Sequence, residues 1–165
     1  MIELELTRTP GDRRLYSLAG VGTLRLEGFF SRNATAEAEA SGGWCFSRRG
    51  LWQRIMQATD MAGNVVGEFV PRGLRRGGTL GWAGRELTLR PASSWRERYA
   101  LADGERELVL IDGTSWGRRP VKMTLAEAIE PGLLLFAAFV VRGLAADAGS
   151  AGAASASTSS GAAAG

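Results

Sequence analysis

The chain has 165 residues, 45% of them hydrophobic, which suits one domain with its own core. Its 20 basic residues, all arginine except Lys122, oppose 17 acids; the balance of +3 gives little reason to expect a nucleic-acid partner. Histidine is absent and cysteine occurs once, at Cys45, which excludes Ser-His-Asp and Cys-His catalysis, His-built zinc sites, thiolate metal cages and an internal disulfide.

In chain order, the N-terminal MIELELTRTPGDRR has neither a basic n-region nor an apolar h-region, so no signal peptide is expected. One cysteine fits a reducing cytoplasm. IELELTR alternates Leu4 and Leu6 with Glu3 and Glu5, and GTLRLEG alternates Leu24 and Leu26 with Arg25 and Glu27. Side chains of a strand point to opposite faces in turn, so each run predicts one buried and one wet face. ATAEAEA mixes helix-favouring residues with strict alternation; it reads as a strand with Ala34, Ala36, Ala38 and Ala40 inward. Cys45, in WCF, is expected to act as a small buried hydrophobe.

RLYSL, WCFSRR, LWQRIMQAT, NVVGEFVP, TLGW, RELTLR (Leu87 and Leu89 inward), WRERYALA, ELVLID and WGRRPVKM are further strand candidates, giving about ten to twelve in all. TDMAGNVV and LADGERELVL each place Asp and Gly between extended runs, the chemistry of hairpin turns. RRGGTLGWAG is Gly-rich but lies between strands, which favours a turn over a phosphate loop.

From residue 124 the period changes. Thr124 and Glu127 have the spacing of a capping box over a short turn, and Pro131 suits the first turn of a helix. That helix, over about 131–146, is apolar all round: Leu133, Leu134, Leu135, Phe136, Phe139, Val140 and Val141 cover every direction. Its uncharged run, Gly132 to Val141, falls short of the roughly 20 apolar residues that span a bilayer. It therefore needs enclosure, which many antiparallel strands closed into a barrel can supply. The expected fold is mainly β: a closed antiparallel barrel of about twelve strands around a buried C-terminal helix. Residues 1–146 would form this one domain and 147–165 a disordered Ala/Ser/Gly-rich tail.

Many hairpins followed by one very apolar helix, carried by TDMAGNVV, LADGERELVLIDG and PGLLLFAAFVVRGLA, resemble the tubby C-terminal-like superfamily, with its LURP-one-related and phospholipid scramblase relatives. The resemblance covers about residues 1–146 and is one of pattern, without a diagnostic motif. It implies a twelve-stranded barrel around a buried helix and, in some members, binding of phosphoinositides or other membrane lipids. No lipid-contacting family motif maps onto this sequence.

Arginine doublets recur at Arg13-Arg14, Arg48-Arg49, Arg75-Arg76 and Arg118-Arg119, near expected turns. Gathered at one rim, they could bind phosphate or an anionic head group bidentately. PRGLRRGG concentrates three cations, so Arg72, Arg75 and Arg76, with nearby Trp82, are the candidate ligand-binding residues. Glu37 with Glu39 and Glu105 with Glu107 are carboxylate pairs that read as solvated outer-face charge. The expected function is a non-enzymatic, cytoplasmic binding module for an anionic lipid or phosphate-bearing ligand. It would have no cofactor or metal, and would be peripheral to the membrane rather than transmembrane. The alternative is a protein-interaction scaffold or assembly component without lipid binding.

Overall fold

The alternating runs form twelve antiparallel strands: β1 (Ile2–Arg8), β2 (Leu15–Leu18), β3 (Gly22–Glu27), β4 (Asn33–Ala38), β5 (Gly42–Arg49), β6 (Ile55–Asp60), β7 (Val65–Pro71), β8 (Gly78–Trp82), β9 (Arg85–Pro91), β10 (Arg98–Asp103), β11 (Arg106–Asp112) and β12 (Val121–Leu125). One helix, α1 (Pro131–Ala156), follows. The structure is a computed structural model that describes residues 1–27, 32–50, 54–73, 77–93, 97–113 and 119–156, with side chains as far as Ala148.

Each strand pairs with its sequence neighbours, and β1 pairs with β12 from Ile2↔Leu125 to Leu6↔Val121. The sheet is thus a closed up-and-down barrel, and closure leaves no unpaired strand edge. Strand direction alternates, so the connections sort onto two ends. The links β2–β3, β4–β5, β6–β7, β8–β9 and β10–β11 are short and make a turn end. The remaining links are longer and make a loop end. After β12 the chain leaves at the turn end, and α1 runs back through the barrel towards the loop end.

The turns carry the backbone angles they need. Trp82↔Arg85 closes a two-residue loop in which Ala83 (φ 49°) and Gly84 (φ 80°) are both left-handed, as a type I′ turn requires. In the TDMAGNVV turn, the Asp60 carboxylate accepts from the amides of Ala62 (3.0 Å) and Asn64 (2.9 Å). Hydrogen bonds from the Asn64 backbone and side chain hold the Asp60 pKa below its ordinary value.

The inward faces meet α1. Leu6, Leu24, Leu26, Leu87 and Leu89 are buried as their alternation predicts. Leu133, Leu134, Leu135, Phe136, Phe139, Val140 and Val141 are all buried, and no polar or charged residue is fully buried among the described residues. Phe46 lies 5.2 Å from Phe136 and 5.5 Å from Phe139, ring centre to ring centre. Ala34 and Ala36 face inward, and their small side chains let the helix pack on β4.

Several expectations are corrected. α1 continues to Ala156, past the helix end expected near 146, through a segment rich in Ala, the strongest helix former. Residues 157–165 lie outside the described residues. Over Pro131–Ala148 the helix is long and apolar enough to cross a membrane, since Leu144 and the alanines beyond Arg142 extend the apolar window. Length therefore does not decide the matter; 61% of that window is buried in the barrel. Thr124 belongs to β12, so no capping box forms. Ala40 is an exposed turn residue. Cys45 is exposed, because flanking Trp44 and Phe46 take the inward positions and period two sends Cys45 out.

Candidate functional site

The charged residues divide between the two barrel ends. Every described cation except Arg85 and Arg106 lies at the loop end, in its connections or within two residues of a strand terminus, or on the exiting part of α1. Only Asp12, Glu27, Glu97, Asp112 and Asp147 accompany them there. Glu5 and Glu68 lie midway along their strands, and the other ten described acids lie at the turn end. The barrel therefore has a cationic and an anionic pole.

Ion pairs neutralise part of the cationic pole. Arg25 meets Asp12 at 2.9 Å, and Arg98 meets Asp112 at 3.4 Å. The Asp12 pKa is lowered, first by the hydrogen bond from the Arg14 amide and then by Arg25. Arg48 donates to Asp147 at 2.7 Å, and Arg54 approaches the same carboxylate oxygen at 3.5 Å. At the other pole Arg85 pairs with Asp103 at 2.7 Å and Arg106 with Glu127.

Of the predicted ligand-binding residues, Arg72 and Trp82 are described, and the fold does not bring these two together. Arg72 is exposed at the loop end, its amide donating to the Gly77 carbonyl at 2.9 Å. Arg75 and Arg76 lie outside the described residues. Trp82 stands at the far end of β8, since Gly78 pairs with Pro71 while Trp82 pairs with Arg85. Its ring is 3% exposed and lies inside the barrel, 5.8 Å from Phe136 and 6.1 Å from Trp44. Proximity in sequence placed it beside Arg72, but a strand separates the two. Glu37, Glu39, Glu105 and Glu107 are exposed at the turn end.

Of the doublets, Arg13-Arg14 and Arg48-Arg49 are at the loop end, as is Arg119; Arg118 lies outside the described residues. Period two splits the Arg48-Arg49 pair. Arg48 continues the inward row of Trp44 and Phe46, while Arg49 is exposed. The inward member meets two arginines that the sequence reading passed over. Arg32, Arg48 and Arg142 line a cavity of about 40 Å³ at the loop-end mouth, with Met56, Phe139, Gly143 and Ala146. The signal that could have found it is Arg142 itself, the charge that ends an otherwise apolar helix face. Burial lowers the Arg142 pKa, and Tyr16 opposes that shift.

This arrangement defines a closed β-barrel with a central helix and an arginine-lined mouth. Comparison with protein-family models, with curated proteins and with solved structures gives no match to the chain.

Proposed function

We propose that the protein is a non-enzymatic, cytoplasmic module that binds an anionic ligand, lipid or phosphate-bearing, through its cationic pole at a membrane surface. The segregation of charge carries this reading: cations outnumber acids at the loop end, and acids outnumber cations at the turn end. Such a field orients the molecule, drawing the loop end to an anionic surface and repelling the turn end. Arginine is suited to the task, because its planar fork binds phosphate oxygens in pairs. The resemblance to tubby-like barrels, some of which bind membrane lipids, points the same way. Among the described residues no Asp, Glu, Lys or Arg is fully buried, and the reading places recognition at the mouth.

Sedimentation with anionic liposomes tests the proposal. Binding is expected at low salt and is expected to weaken as salt screens the surface. Arg72→Glu combined with Arg75→Glu and Arg76→Glu should weaken it by on the order of a hundredfold or more, at about 1 kcal/mol per basic residue near the surface. Equal binding to neutral and anionic vesicles would refute the proposal.

A further inference from the structure

The β4–β5 ladder sets two like charges against each other at the mouth. Asn33 pairs with Ser47, and the Arg48 amide donates to the Arg32 carbonyl at 3.2 Å, which puts Arg32 and Arg48 directly opposite. Like charges so placed repel unless an anion sits between or beside them. Arg48 is only 19% exposed, and α1 adds Arg142 to the same cavity. Asp147, 18% exposed, is shared between Arg48 and Arg54 at this mouth. Arg32, exposed towards solvent, and Arg142 line the cavity beside that ion pair. The cavity, about 40 Å³, has room for roughly three waters, or for one tetrahedral oxyanion in their place.

We propose that this cavity seats a dianionic phosphate group, as a phosphate monoester or inorganic phosphate, and that Asp147 is a built-in counter-ion which the ligand displaces from Arg48. The inference rests on the anion-binding reading above and gives it a specific site and a gate. A phosphate brings three acceptor oxygens and up to two charges where Asp147 brings two oxygens and one charge. Guanidinium groups just before β4, on β5 and on α1 can each present paired N–H donors to it. Met56 and Phe139 close the inner side with apolar surface, which excludes water and strengthens the charge pairing. Asp147 in turn keeps the arginines compensated while the cavity is empty, and ties the emerging helix to β5.

The test uses the full chain, with calorimetric titration of inorganic phosphate and sedimentation with neutral vesicles doped with phosphatidic acid, a monoester, or with phosphatidylglycerol, a diester, at equal charge. Asp147→Asn should tighten phosphate binding by roughly three- to tenfold, since a competing ion pair is removed; misfolding cannot produce such a gain. Arg48→Gln should abolish the titration. Preference for phosphatidic acid over phosphatidylglycerol assigns the phosphate to a lipid head group, and phosphate binding without that preference assigns it to a soluble source. Unchanged or weaker phosphate binding in Asp147→Asn overturns the site. If Arg48→Gln still binds anionic vesicles in a salt-sensitive way, that leaves the broader reading standing; no binding of any anion by the unaltered chain overturns both.

Discussion

Ala83 occupies a left-handed position, φ 49°, that side chains with a Cβ adopt at a cost of about 1–2 kcal/mol. Asn followed by Gly is the pair such a turn prefers, and Gly84 already fills the second place. Ala83→Asn should therefore raise stability by about 0.5–1 kcal/mol, read as a higher urea midpoint with an unchanged slope. A lower midpoint would mean that the hairpin is not closed as described. Residue-scale placement was legible wherever period two ran unbroken: Leu24, Leu26, Leu87 and Leu89 are inside as expected. At Cys45 the usual burial of a free thiol points inward, but the phase set by Trp44 and Phe46 turns it out. Trp82 is a different case: it is close to Arg72 along the chain, but strand β8 holds the two at opposite ends of the barrel.

At the scale of elements, α1 is held by close approach at its start. A Cβ on Gly132 would lie 2.6 Å from Trp82 Cζ2 and 2.7 Å from Trp44 Cζ2, two rings fixed in the core. A Cβ on Gly143 would meet only the mobile tip of Met56, its Cε at 2.5 Å and Sδ at 3.4 Å. The two helix glycines should thus respond differently. Gly132→Ala is expected to cost about 1–3 kcal/mol as overpacking, despite better helix propensity. Gly143→Ala should be near neutral, with about 1 kcal/mol of propensity offsetting the shift of Met56. Equal effects in denaturant titrations would contradict the packing of α1 against the tryptophan pair. The helix itself was legible because a segment apolar on every side needs a full enclosure. Its end was not: beyond Arg142 the cue of core-forming side chains stops, while the helical tendency of alanine continues.

Across the whole molecule, the barrel could be inferred from the number of strands and the helix they had to cover. The arginine mouth could not. Arg32 and Arg48 become neighbours only through the β4–β5 register, and Arg142 and Asp147 reach them only once the helix has crossed the barrel. Registers and crossing directions are properties of the closed sheet, and no local pattern encodes them. The same closure turns an almost balanced sequence charge into two opposed poles, since alternate connections collect at alternate ends.

The claim that one pole is the binding face is tested by vesicle sedimentation of two variants with equal and opposite changes in net charge. Neutralising Arg13, Arg14 and Arg119 to Gln alters the loop end, and Glu37→Lys with Glu39→Gln raises the charge of the turn end by the same three units. The first variant is expected to lose most of its binding to anionic vesicles, by on the order of a hundredfold, while the second binds about as well as the unaltered protein. Binding that instead follows net charge, weakened in the first variant and strengthened to a similar degree in the second, would contradict it.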